Sequence, residues 1–111
     1  RAGNRVYDIG RAVEGEVRRS GFAVMRRLCG HGVGRTIHEE PIVPNHFDNR
    51  QRSRLSEGLV LTIEPIIAAG SGRERLLEDG WTIKTADESW AAHFEHTIVI
   101  TRGMPILLTG A

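Results

Sequence analysis

The fold is decided by an apolar stretch, residues 59–67, which reads LVLTIEPII. Apart from Thr62 and Glu64 it is wholly apolar, and its β-branched residues favour a strand over a helix. A second stretch of similar character, residues 91–101, reads AAHFEHTIVIT and contains Glu95. Both stretches therefore predict strands, and each strand carries a glutamate in its interior.

A helix is predicted ahead of these strands. Ile9, Val13 and Val17 recur at a spacing of four with charged residues around them, which is typical of an amphipathic helix over residues 6–20 that ends at Gly21. Shorter strands are predicted at 22–28, 81–85 and 106–108. Glycine, proline and polar residues predict turns and loops at 30–34, 41–54 and 71–80. The sum is an α+β fold, a helix followed by antiparallel strands.

The composition restricts the classes of partner. The 111 residues suffice for one small domain, and 40% apolar with 26% charged residues is ordinary for a soluble globular protein. A net charge of +1 gives no electrostatic case for nucleic acid or a membrane surface as partner. Cys29 is the single cysteine, so no disulfide can form within the chain and a cytosolic setting fits. No apolar run approaches the roughly 18–20 residues of a membrane span.

Three residues are candidates for chemistry. Carboxylates are rarely buried unless they are paired or bind a metal, and Glu64 and Glu95 both lie in apolar strands. His31 lies between Gly30 and Gly32, which would allow close backbone approach or a positive φ. One imidazole with two carboxylates suits Mn, Fe, Co or Zn. The alternative is that each glutamate points to solvent from a one-sided strand and that His31 is structural.

Four motifs together resemble the methionine aminopeptidases of type I. They read GHGVGRTIHEEP at 30–41, LTIEP at 61–65, DGWTIKT at 79–85 and FEHTIV at 94–99. The resemblance runs from about Arg1 to Leu108. Prolidases and creatinases share the first two motifs but place the final glutamate in a different context. The helical insertion of the type II enzymes is not seen in this sequence.

The resemblance implies a fold and a domain organisation. The family has the pita-bread fold, two pseudo-symmetric α+β halves with a metal pair between them. Residues 1–111 then correspond to the C-terminal part of one catalytic domain. Its N-terminal half, with two aspartate ligands and a further histidine, is expected to be missing, and the first residue, Arg1, agrees with this. Asp8, the first of four aspartates, instead has the position of a helix-terminus charge.

The resemblance also implies the site residues. His31, Glu64 and Glu95 match ligands of two divalent ions (Co, Mn, Fe or Zn), with Glu64 also moving protons and Glu95 bridging both ions. His38 matches a residue that contacts the substrate and stabilises the tetrahedral intermediate. Trp81 and Ile37 match walls of the methionine side-chain pocket. Two positions depart from the family pattern: Ile37, where an aromatic residue is common, and His93, where glutamine is common and a change could alter the metal preference. Cys29 agrees with many type I members and is expected to be a packed thiol.

The implied activity is the removal of initiator methionine from nascent polypeptides whose second residue is small. This predicts a cytoplasmic enzyme near the ribosome, monomeric when complete, with no membrane or direct nucleic-acid partner. One alternative is a binding module of the same fold that has lost its ligands. Another is an exopeptidase that acts before proline, which the 81–97 region disfavours.

Overall fold

The computed structural model describes residues 1–110, and it opens with the single helix α1, Val6–Arg19. Val6, Gly10 and Val17 are its buried positions. At its start, the backbone N–H of Arg5 donates to Oδ2 of Asp8 over 2.9 Å, so Asp8 satisfies a free amide and places negative charge at the positive end of the helix. The predicted helix and the predicted role of Asp8 are both confirmed.

Ten short strands follow within residues 1–110, and every pair of neighbours is antiparallel. A three-stranded sheet has the order β1-β5-β8, a five-stranded sheet the order β10-β9-β4-β2-β3, and a hairpin joins β6 and β7. The strands are β1 Ala23–Val24, β2 Gly30–Gly32, β3 Glu39–Val43, β4 Val60–Ile63, β5 Ile66–Ala68, β6 Glu74–Leu76, β7 Ile83–Thr85, β8 Ala91–His93, β9 His96–Val99 and β10 Ile106–Leu107. The α+β class is therefore confirmed.

The two long predicted strands are each interrupted. The stretch 59–67 divides into β4 and β5 at Glu64-Pro65, and 91–101 divides into β8 and β9 at Phe94-Glu95. In both cases one piece belongs to the five-stranded sheet and the other to the three-stranded sheet. The prediction of two continuous strands was wrong, because a run of apolar residues does not show where the backbone leaves one sheet for another.

Three further predictions of local structure need correction. Residues 30–32 form the strand β2 rather than a turn, and Pro41 lies inside β3 rather than in a loop. β3 is an edge strand, where proline removes no bond that the sheet requires. The predicted strand 22–28 is shorter in the structure, where only the two residues of β1 form a strand. The strand β6 was not predicted, because its sequence, ERL, has no apolar alternation.

The main core lies beneath α1 and the five-stranded sheet. Its members are Val6, Val43, Leu55, Leu61, Ile98 and Ile100. Leu61 is wholly buried and pairs with Ile98 on β9 and with Gly32 on β2. The core thus anchors the sheet next to the segments that carry the candidate site. Within residues 1–110, no helix has both the length and the apolar character to cross a membrane.

Candidate metal centre

The two chain breaks bring the two glutamates together. Ile63 pairs with His96 on one side of the breaks, and Ile66 pairs with His93 on the other. The breaks therefore lie opposite one another, and the amide of Phe94 donates to the carbonyl of Pro65 across them at 3.3 Å. Glu64 and Glu95 project from this junction of the two sheets.

His31 reaches the same junction from β2. A Cβ on Gly30 would collide with the carbonyl of Thr62, and one on Gly32 with the carbonyl of Glu40. The glycines thus serve close backbone approach, one of the two uses predicted for them. The amide of His31 donates to Oγ1 of Thr62 over 3.1 Å, which ties β2 to β4 beside Glu64.

The tautomer of His31 follows from its neighbour. Nδ1 lies 2.8 Å from the carbonyl oxygen of Gly32, and a carbonyl can only accept, so this hydrogen bond places the proton on Nδ1. In the neutral imidazole Nε2 then carries a free lone pair, and it faces Oε1 of Glu64 at 3.3 Å. Two acceptors in this position repel each other unless a cation or a proton lies between them.

These donors fit a metal ion. One ligand atom from each of His31, Glu64 and Glu95 lies within 4.8 Å of the others. Two ligand atoms about 2.1 Å from one tetrahedral ion are about 3.4 Å apart, close to the separation between His31 and Glu64. Among the described residues, no lysine or arginine forms an ion pair with either glutamate. A nitrogen and two carboxylates suit Mn, Fe, Co or Zn.

Glu64 is held more closely than the sequence suggested. Its side chain is 15% exposed, Oγ1 of Thr62 donates to its Oε1 over 2.9 Å, and Nε2 of His93 lies 3.5 Å from its Oε2. The side chain of Asn45 is buried, and its amide donates to the backbone carbonyls of Glu64 and Leu28 over 3.2 and 3.3 Å. These supports depend on strand register, and the sequence carries no signal that would have identified Thr62 or Asn45.

His38 lies beside the metal group on the exposed segment between β2 and β3. Its ring centroid is 4.3 Å from that of His31. Thr36 holds the segment in place. Its amide donates to Oε1 of Glu39 over 2.9 Å, and its hydroxyl donates to the carbonyl of His38 over 3.0 Å. Ile37, in the same segment, is 71% exposed. The position of His38 agrees with contact to a ligand of this site, while its role stays a prediction.

Trp81 and Cys29 are not members of the candidate metal group. Trp81 is 86% exposed on the turn between β6 and β7, and its predicted role stays a prediction. Burial, with the negative charge of Glu64, raises the pKa of the Cys29 thiol above its usual value. A raised pKa means less thiolate at neutral pH, which agrees with a packed, unreactive thiol.

The aspartates that follow Asp8 in the chain stabilise local turns. Asp48 accepts hydrogen bonds from the side chain and backbone of Arg50, which lower its pKa to about 2. Asp87 has a pKa of about 2 because the amide of Ser71 and the hydroxyl and amide of Ser89 donate to it. Asp79 accepts from Trp81 and Thr82 in the same way. No aspartate of the described residues joins the candidate metal group.

The chain is similar to known proteins in sequence and in fold. The model of metallopeptidase family M24 matches residues 1–102. A methionine aminopeptidase of Aquifex aeolicus is 44% identical over 109 residues, which are 96% of this chain and 42% of that protein. One from Escherichia coli is 47% identical over 100 residues, 89% of this chain and 38% of that protein. The crystal structure of a methionine aminopeptidase from Thermotoga maritima superimposes with a TM-score of 0.91 at 41% identity. The match covers all of this chain and 45% of the Thermotoga maritima chain. The chain thus spans less than half the length of these relatives.

Proposed function

This chain belongs to metallopeptidase family M24, and we propose that it supplies the C-terminal part of a type I methionine aminopeptidase domain. The complete protein would remove initiator methionine from polypeptides whose second residue is small. One observation carries the proposal: the free Nε2 of His31 faces Oε1 of Glu64 at 3.3 Å, with Glu95 in the same group. Relatives at 44% and 47% identity that are named for this activity support it.

We propose that His31, Glu64 and Glu95 hold divalent ions, two in the complete domain. When bound, such ions polarise a carbonyl and lower the pKa of water towards neutrality. Co, Mn, Fe and Zn all match the donor set. Glu95, which matches the bridging glutamate of the methionine aminopeptidases, would contact both ions.

The protein side chains would carry the protons. Glu64 would take a proton from the attacking water on a carboxylate oxygen and pass it to the nitrogen of the leaving amine. The Thr62 hydroxyl, which donates to its Oε1, would contribute to its orientation for this transfer. His38, beside His31, would donate to the oxyanion of the tetrahedral intermediate. Ile37 and Trp81 would line the pocket for the methionine side chain.

The proposal extends to the cellular setting. The substrate is the free N-terminus of a nascent polypeptide, which would bring the protein close to the ribosome in the cytoplasm. The complete protein would act as a monomer. Methionine as the first residue and a small second residue are the chemical features that the site would select.

A chimera tests the activity directly. In it, this chain replaces the matching segment of the Aquifex aeolicus relative, and all residues of the chain keep their numbers. We expect the chimera to release methionine from a Met-Ala-Ser peptide when it is supplied with Co²⁺ or Mn²⁺. Metal binding without release would favour a binding module. Release of the first residue from a Xaa-Pro peptide, with Met-Ala-Ser untouched, would favour the alternative exopeptidase.

The 111-residue chain alone is the matched control. His31, Glu64 and Glu95 leave much of the coordination sphere of two ions to water, so we expect weak binding and no methionine release. An apolar groove between α1 and the three-stranded sheet is also open, with Phe22 43% and Phe94 68% exposed. Exposed apolar surface of this kind promotes association. Tight binding of two ions and ordinary turnover by the chain alone would contradict the proposed domain organisation.

A further inference from the structure

His93 lies at the end of β8, one residue before the break that carries Glu95. It pairs with Ile66, two residues after Glu64, so its side chain reaches the carboxylate of Glu64 across the junction of the sheets. Its Nε2 lies 3.5 Å from Oε2 of Glu64. The side chain is 46% exposed and lines the edge of the apolar groove between α1 and the three-stranded sheet.

The two oxygens of Glu64 have different surroundings. Oε1 accepts a hydrogen bond from the hydroxyl of Thr62 and faces Nε2 of His31. Oε2 faces His93. A carboxylate rotates about its terminal bond, so the group that holds one oxygen decides where the other points. His93 is placed to make that choice, because it contacts the oxygen that is turned away from His31.

His93 is separate from the metal group itself. Within residues 1–110, the donors that converge within 4.8 Å are those of His31, Glu64 and Glu95, and no nitrogen of His93 is among them. A ring nitrogen beside a carboxylate oxygen, outside the group that would bind the ion, matches the arrangement in which ligating carboxylates are themselves held by hydrogen bonds.

We propose that His93 is a positioning residue whose Nε2–H donates to Oε2 of Glu64 and thereby keeps Oε1 directed at the ion beside His31. The proposal rests on the proposed function, since it assigns to Glu64 the role of a ligand. The present separation is longer than the usual 2.7–3.2 Å of a hydrogen bond. We expect metal loading to shorten it, because the bound ion fixes Oε1.

Two substitutions of similar length separate hydrogen bonding from packing. His93→Gln keeps an N–H donor, while His93→Met keeps the length and has no N–H. Calorimetric titration of Co²⁺ into the metal-free chimera should give a dissociation constant within about threefold of the parent for His93→Gln. For His93→Met it should rise by about 10–100-fold, the usual effect of losing a group that holds a metal ligand. His96→Leu is the matched control, because His96 bonds Thr109 rather than Glu64, and its affinity should be unchanged.

The visible spectrum of bound Co²⁺ distinguishes positioning from direct coordination. A positioning role leaves the absorption bands of His93→Gln at the parental wavelengths, whereas loss of an imidazole ligand shifts them. Equal affinities of the parent and His93→Met would overturn the proposal, as would a shifted spectrum in His93→Gln. If the chimera shows the Gln–Met difference but releases no methionine, the proposed function fails and the role of His93 stands. If the chimera releases methionine but shows no difference between the His93→Gln and His93→Met variants, the proposed function stands and the proposed role of His93 fails.

Discussion

Glu64 and Glu95 occupy equivalent places in the molecule and are held very differently. Each lies where a strand leaves one sheet for the other. Glu64 is 15% exposed, accepts from Thr62, faces two imidazoles, and has its backbone carbonyl bound by Asn45. Glu95 is exposed, and within the described residues its carboxylate has neither a hydrogen bond nor an ion pair.

The difference shows that the fold holds one carboxylate of the candidate site in place and leaves the other without a protein partner among the described residues. Protein groups fix the Glu64 carboxylate in advance, which lowers the entropy lost when an ion or a proton is bound. The Glu95 carboxylate is free to turn and would be ordered by the ions themselves. If Glu95 contacts two ions and Glu64 transfers a proton, as proposed, the freedom suits Glu95 and the fixed direction suits Glu64.

The largest expected effect is that of Glu95→Gln in the chimera. If Glu95 contacts both ions, the substitution should weaken the binding of both. The loss of affinity should exceed about 100-fold, the upper end of the effect of removing a group that only holds a ligand in place. Glu64→Gln, the matched change, should weaken mainly one ion. Calorimetric titration and metal analysis give the two stoichiometries. Two tightly bound ions and normal turnover in Glu95→Gln would show that Glu95 is not a bridging ligand.

The next largest effect is expected from His38→Ala, a substitution that leaves the carboxylates of Glu64 and Glu95 in place. Loss of one donor to an oxyanion typically lowers kcat by about 10²–10³, so His38→Ala in the chimera should lower kcat by that factor with metal content intact. Metal analysis beside steady-state kinetics on Met-Ala-Ser makes the distinction. Loss of metal in His38→Ala would assign His38 to the metal site, together with His31, on which its ring packs.

Much of this site could be predicted from sequence. Glu64 and Glu95 stand out because carboxylates within apolar stretches are costly to bury without partners, and His31 because glycines flank it. The structure brings all three together, although Glu95 is exposed. α1 was predictable because its apolar spacing and the glycine after it are local signals. The α+β class followed from the same patterns.

The supports of the site could not be predicted in this way. The contact between His93 and Glu64 arises because Ile66 pairs with His93, and strand register is not encoded in the spacing of residues along one strand. The breaks at 64–65 and 94–95 were missed for a similar reason. Glycines at 30 and 32 indicated a turn, whereas the fold uses them for close packing of strands.

A smaller effect is expected from Asn45→Leu, which removes the support beneath Glu64 and leaves Glu95 unaffected. The carbonyls of Glu64 and Leu28 would lose their donor at a buried position. An unsatisfied buried group costs about 1–3 kcal/mol, so the free energy of unfolding of the chimera in urea should fall by that amount. Asn49→Leu at an exposed position is the control. Equal stability of the two variants would mean that water replaces the Asn45 amide.

The smallest effect should come from Thr62→Val, which tests whether Glu64 is fixed through its Oε1. Valine keeps the shape of the buried side chain and removes the hydroxyl that donates to Glu64 and accepts from the amide of His31. A hydrogen bond contributes about 0.5–1.5 kcal/mol net, and the half-buried position of His31 allows water to compensate in part. We therefore expect a loss of stability within that range in urea, with a several-fold weaker binding of Co²⁺. Thr97→Val is the matched control, since Thr97 is the pairing partner of Thr62 on β9. If both valine variants bind Co²⁺ equally well, the Thr62 hydroxyl does not orient Glu64, and the contrast between the two glutamates would rest on His93 and Asn45 alone.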